Sequence, residues 1–148
     1  MKVRDLLNGK PAVVTIDANL SLSAAISVMS YHKIGALVLR SEKGCPVRLL
    51  SERDVVSVIT ARGHDVLGQP VHQVAPEDCI RCDPDERLQE VMHTMSRLRA
   101  RHIPVVEKSG ELIGIVSVGD LLKAQLEETT LENRVLHDKA LVSTFAGM

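Results

Sequence analysis

Shifted against itself by 66 residues without a gap, the chain lays "PVRLLSERDVV" (46–56) over "LIGIVSVGDLL" (112–122), with Ser51 on Ser117 and Asp54 on Asp120. The same shift matches Asp17 to Asp83, Leu22 to Leu88, Met29 to Met95, Ser30 to Ser96 and Gly44 to Gly110. An internal duplication with this register requires the same supersecondary unit to form twice. Each copy opens with a short apolar stretch (12–16; 79–82) and a polar helix start, at Asp17 or at "DPDE" (83–86), where Asp83 reads as cap, Pro84 as first helical residue and Glu86 as third. Apolar residues then recur at Leu22, Ala25, Ile26 and Met29, and at Leu88, Val91, Met92, Met95 and Leu98, the spacing of one buried helix face. Two apolar runs follow, "ALVL" (36–39) with "RLL" (48–50) and "IPVV" (103–106) with "LIGIV" (112–116), separated by turn residues as in hairpins. Each copy closes with a helix that starts at Ser-x-x-Asp.

The expected fold is therefore α+β, two βαββα repeats packed around a pseudo-twofold axis with two equivalent clefts between them. A unit of about 60 residues buries too little surface to be comfortable alone. The expected division is 1–65 for the first repeat, 66–126 for the second and 127–148 for a C-terminal helical extension, with "ARGHDVLGQPVHQ" (61–73) as the linker. Within "LLKAQLEETTLENRVLHDKAL" (121–141), Leu122, Leu126, Leu131, Val135, Leu136 and Leu141 form an amphipathic face, either a cover for its own core or a homodimer contact.

Composition narrows the functions. Of 148 residues 45% are hydrophobic, the formal net charge is −1, and Tyr31 and Phe145 are the only aromatics, which disfavours a phosphate-backbone footprint or a base-stacking platform. No apolar run reaches the roughly 20 residues of a membrane span, and "MKVRDLL" lacks a signal-peptide core, so a cytoplasmic location is expected. Cys45, Cys79 and Cys82 are read as reduced thiols. Cys79 and Cys82 spell C-x-x-C, but three apart on a strand they face opposite sides, a poor start for a four-ligand metal site. A glycine-rich phosphate loop and a G-x-S-x-G elbow are missing, so an enzyme is not expected.

The strand followed by Ser-x-x-Asp in both copies, "RHIPVV" (101–106) and the 66-residue period together resemble a pair of cystathionine beta-synthase (CBS) domains, the tandem arrangement called a Bateman module. The resemblance covers nearly the whole chain. It implies a regulatory module for adenosine-containing ligands such as AMP, ADP, ATP, NAD-type dinucleotides or S-adenosylmethionine, signalling to an unknown regulated protein, with no cofactor required. A constitutive scaffold with vestigial clefts is the alternative.

A carboxylate can accept one hydrogen bond from each of two vicinal ribose hydroxyls, which makes Asp54 and Asp120 the candidate ribose contacts. Ser51 and Ser117, at strand-to-helix junctions, are candidate phosphate contacts. The same Ser-x-x-Asp is also a helix-capping signature, and the sequence leaves both readings open. Arg53 sits in a first helical turn, where the helix dipole disfavours a cation. Glu52 or Asp54 can offset that charge, and a bound phosphate can as well. The resemblance further implies that Arg101 and His102 contact phosphate, whereas Arg97 and Arg99 read as a solvated helix end. Strand backbone and apolar walls would hold the adenine, at Thr15, Ile16, Ala36 and Leu37 in one copy and at Cys82, His102 and Ile103 in the other. Where copy two has Gly114, copy one has Arg48, and the family pattern gives that glycine close approach to ligand, so Arg48 either narrows the first cleft or adds a contact.

Overall fold

The computed structural model describes residues 1–40, 47–77 and 80–146. In chain order its elements are α1 (Val3–Leu6), β1 (Thr15–Asp17), α2 (Leu22–His32), β2 (Ala36–Arg40), β3 (Arg48–Ser51) and α3 (Glu52–Arg62), then a 3-10 turn (His64–Gly68), α4 (Val71–Val74), α5 (Leu88–Leu98), β4 (His102–Val106), β5 (Leu112–Ser117) and α6 (Val118–Ala146). The repeat is kept to the residue: α2 and α5, and likewise β2 and β4, are 66 positions apart at both ends. The first repeat forms a sheet in the order β1-β2-β3, with β1 parallel and β3 antiparallel to β2. In the second, β4 pairs antiparallel with β5, and the opening strand shrinks to one parallel bridge, Cys82 with Val105, in the register of Ile16 with Leu39.

Both core-facing helices start later than their polar signals predict. The cap of α2 is Ser21, whose hydroxyl accepts the Ala24 N–H, and α5 starts after Arg87 without a side-chain cap. Asp17 and Asp83 instead accept the N–H two residues on, from Asn19 (2.8 Å) and Asp85 (2.9 Å), and so hold turns that compete with helix. The carbonyls that follow are already taken. Val71 and His72 donate to Leu20 and Ala18, and Val3 and Arg4 donate to Glu86 and Pro84.

Those bonds reveal an exchange between the repeats. The lead-in helix of each repeat docks on the other one: α1 buries Val3 in the second core beside Leu88, Val91 and Ile103, and α4 buries Val71 in the first core beside Leu22, Leu37 and Leu50. Val66 of the 3-10 turn also joins the first core, so the segment expected as linker is core on one face. Full burial of a side chain such as Val3 or Val71 contributes about 1.5–3 kcal/mol, which gives each short lead-in a reason to stay docked. A third cluster, with Val38 and Leu49 on one sheet and Val106 and Ile115 on the other, joins the repeats.

Helices α2 and α5 both end on a non-glycine residue in the left-handed region, Lys33 and Arg99, each at φ 54°. Such a residue costs about 1–2 kcal/mol, offset here by cap N–H bonds to Met29 and Ser30 or to Met95 and Ser96. In α6, Leu121 and Ala124 face the second core, while Leu122, Leu126, Leu131, Val135 and Leu136 are exposed. The side chain of Leu141 lies outside the described ones, as do Cys45 and Cys79. Among the described residues no helix is long and apolar enough to cross a membrane.

Candidate functional site

Two clefts lie between the repeats, and residues 66 apart line opposite ones. Ser51, Asp54, Arg53 and Leu49 line the first, a cavity of 280 Å³, together with Arg99 and Arg101 from the second repeat. Ser117, Asp120 and Ile115 line the second, of 840 Å³, with Lys33 and Gly35 from the first repeat and Lys10 from the lead-in segment. Gly35, Ala36 and His102 border both clefts and mark the pseudo-dyad. A Cβ placed on Gly35 would lie 3.6 Å from the His102 ring, so the glycine backbone forms the floor on which the imidazole rests.

Both Ser-x-x-Asp elements are capping boxes. The Asp54 Oδ2 accepts the Ser51 N–H and hydroxyl, each at 2.8 Å, and the Asp54 N–H donates to Ser51 Oγ. Asp120 Oδ2 accepts the Ser117 N–H at 2.9 Å, and the Asp120 N–H donates to Ser117 Oγ. Capping uses only one carboxylate oxygen. Oδ1 of each aspartate has no hydrogen-bond partner among the described residues, and each aspartate lines its cleft.

The two aspartates differ in one respect: Lys10 Nζ pairs with Asp120 Oδ2 at 2.5 Å and also donates to the Ile115 carbonyl at 2.9 Å. Burial pushes the Asp120 carboxyl up, but the Lys10 hydrogen bond, the Ser117 N–H and hydroxyl and the Lys10 charge together outweigh it, leaving the carboxyl below its ordinary range. Arg53, Arg99 and Arg101, by contrast, have no side-chain partner among the described residues. Arg99 thus faces a cleft, although its sequence position reads as solvated helix end.

His102 is held below the ordinary imidazole value, first by burial and then by the Lys10 and Arg101 charges, against the opposing pull of Asp120 and Glu52. A depressed imidazole stabilises the fold fully above the unfolded value of 6.5, and that stability is lost as pH falls through it toward the lower folded value. Replacing His102 by Gln is therefore expected to flatten the loss of stability between about pH 7.5 and 5.5, read as the urea midpoint at each pH. An unchanged slope would show that His102 does not carry this dependence.

Several residues expected to hold the adenine through backbone and apolar walls have their side chains in the cores. Ile16 and Leu37 are 4% and 0% exposed in the first core, and Ile103 and Cys82 are 0% and 4% exposed in the second. Burial also pushes the Cys82 thiol up to about 12, helped by Glu86 and Asp83, which makes it an inert side chain. Thr15 pairs with Val38 and lines neither cleft. The apolar walls are supplied instead by residues one or two positions earlier, Val13 and Val14 in the Asp120 cleft and Ile80 in the Asp54 cleft.

Gly114 and Arg48 also take other roles. Gly114 lines the Asp120 cleft, and a Cβ on it would come within 2.5 Å of Leu7, so the glycine makes room there for the lead-in segment. Arg48 donates to the Ala75 and Pro76 carbonyls at 2.5 and 3.1 Å and does not line the Asp54 cleft.

The CBS domain family model matches this chain twice, over residues 3–61 and 71–127. The chain belongs to the CBS-domain family. Among solved structures, a CBS-domain containing protein from Agrobacterium tumefaciens is 35% identical, with a TM-score of 0.77 over 84% of this chain and 99% of that one. The CBS domain-containing protein YhcV of Bacillus subtilis is 32% identical over 77% of this chain and 79% of its own length. A CBS domain protein from Pyrobaculum aerophilum, solved in complex with AMP, is 25% identical, with a TM-score of 0.70 over 81% and 89% of the two chains. The fold and the pairing of CBS repeats are thus shared with these relatives.

Proposed function

We propose that the protein is a non-catalytic, cytoplasmic regulatory module that binds an adenosine-type ligand between its CBS repeats and reports occupancy through a change in how they pack. One observation carries this reading. The Asp54 cleft gathers a carboxylate and three guanidinium groups, and among the described residues neither Asp54 Oδ1 nor any of the three guanidinium groups has a side-chain partner, a donor and acceptor set suited to a ribose diol joined to phosphate. The AMP complex of the Pyrobaculum relative supports the ligand class. Asp54 and Asp120 would take the ribose hydroxyls, and Ser51, Ser117, Arg53, Arg101 and His102 the phosphate side. Backbone at Ala36 would meet the base.

For such a site to regulate, the ligand must favour one arrangement of the repeats over another. The exposed leucines of α6 support a homodimer built on that face, through which a regulated protein would read the change. The competing reading, a scaffold whose Ser-x-x-Asp elements are caps and nothing more, draws on both capping boxes.

A thermal-shift series with AMP, ADP, ATP, NAD, S-adenosylmethionine and adenosine separates the two, because a ligand that binds only the folded state raises the melting temperature. A rise with at least one is expected, and none with any supports the scaffold. Arg53 adds a finer test. Arg53→Gln is expected to weaken AMP and ATP by about tenfold while leaving adenosine nearly unchanged, as when a charge-assisted phosphate contact is lost. Equal losses in calorimetric titrations of all three would make Arg53 structural.

A further inference from the structure

The repeats are duplicates, yet the segments that lead into them are not. Val3 and Val71 play the same part in their lead-in helices but stand 68 positions apart, whereas β1 and the Cys82 bridge keep the 66-residue spacing. The first strap is therefore two residues longer. The surplus forms a tight turn closed by the Lys10 N–H on the Leu7 carbonyl, with Gly9 at φ 79°, a conformation that suits glycine. Leu7 seats against Gly114, and the turn delivers Lys10 to Asp120. The residue 66 positions on from Lys10 is Pro76, which lines the Asp54 cleft and carries no charge.

We propose that Lys10 sets the two clefts apart: by pairing with Oδ2 it neutralises the Asp120 carboxylate, although Oδ1 stays without a partner among the described residues, so that a nucleotide fills the Asp54 cleft first and the Asp120 cleft as tightly only when it displaces the lysine. This inference rests on the nucleotide reading above. A ribose hydroxyl donates to the carboxylate as a neutral group, whereas Lys10 brings an opposite charge as well, from a side chain also anchored on the Ile115 carbonyl. Both side chains are 34% exposed, so the pair is open to solvent in part and its strength rests on the second anchor at the Ile115 carbonyl. Space is not the obstacle, because the Asp120 cleft is the roomier one, 840 against 280 Å³. The depressed Asp120 carboxyl is the expected companion of this pairing.

The test is calorimetric titration of AMP into the full chain and into Lys10→Met, Lys10→Gln and Lys10→Met with Asp120→Asn, with a melting curve for each to establish folding. The wild type is expected to take one AMP per chain tightly and a second at least about tenfold more weakly, the size of one charge-assisted contact. Both Lys10 variants should bring the second site to within about threefold of the first, and Asp120→Asn should remove that gain. Two equally tight sites in the wild type would overturn the proposal, as would an isotherm unchanged by either Lys10 substitution while the first site still binds. Absence of heat in every protein would instead overturn the nucleotide reading, and this inference with it.

Discussion

Leu37→Ala is expected to destabilise the protein by about 2–5 kcal/mol while leaving the AMP affinity of the folded fraction within about twofold of the wild type. Leu37 is 0% exposed, on the central strand of the first sheet, and packs in the cluster of Leu22, Leu50 and Val71. Truncation removes transfer free energy and leaves a cavity that the docked α4 lead-in cannot readily fill. A domain of this size has about 5–15 kcal/mol in total, so the loss is a large fraction of it. Urea unfolding measures the first quantity and titration below the transition the second. A variant of nearly wild-type stability that binds AMP many-fold more weakly would return Leu37 to the ligand wall that its sequence position implies.

Asp54→Ala is expected to act on both properties. Its Oδ2 closes the capping box of α3, so stability should fall by about 0.5–2 kcal/mol. Asp54 lines the cleft and its Oδ1 has no partner among the described residues, so AMP affinity at that site should fall by about ten- to a hundredfold, the range for a hydrogen bond to a charged acceptor. The pair of effects is diagnostic, because a residue that only caps loses stability alone. Ser51→Ala supplies the comparison: it breaks the same cap and should cost similar stability, but because Ser51 is placed on the phosphate side its affinity for adenosine, which has no phosphate, should change much less than that of Asp54→Ala. Equal losses of adenosine affinity in the two variants, or none in either, would argue that the aspartate only caps.

Much of this was legible in the sequence because the duplication carries its own check. A helix face at Leu22, Ala25 and Met29 repeated at Leu88, Val91 and Met95 fixes two helices at once, and both are found with those residues buried. The Ser-x-x-Asp elements could be placed at strand-to-helix junctions for the same reason. The direction of the strand residues was harder to read. "ALVL" and "IPVV" are buried at every position, so no alternation says which side chain faces a cleft and which a core, and Leu37 and Ile103 fall on the core side. Cys82 and Ile16 follow the same rule at their bridge and strand.

The exchange of lead-in helices and the Lys10 contact depend on residues far apart in the chain, Leu7 with Gly114 and Lys10 with Asp120, which local pattern does not encode. A faint signal exists in Val3 and Leu6 against Val71 and Val74, the same apolar spacing ahead of each repeat but offset by 68 residues instead of 66. Arg53 illustrates the partial case. Its place in the first turn of α3 was plain, and Glu52 and Asp54 flank it there, but only the folded chain shows it beside Arg99 and Arg101 across the cleft.

If an adenosine-type ligand sits between the repeats, backbone amide signals of the labelled protein will move as AMP is added. Perturbations are expected to concentrate at Ser51–Asp54 and at Arg99–His102, two segments that share only the Asp54 cleft. Shifts confined to α6 or scattered over the surface, or no shifts at millimolar AMP, would contradict binding between the repeats.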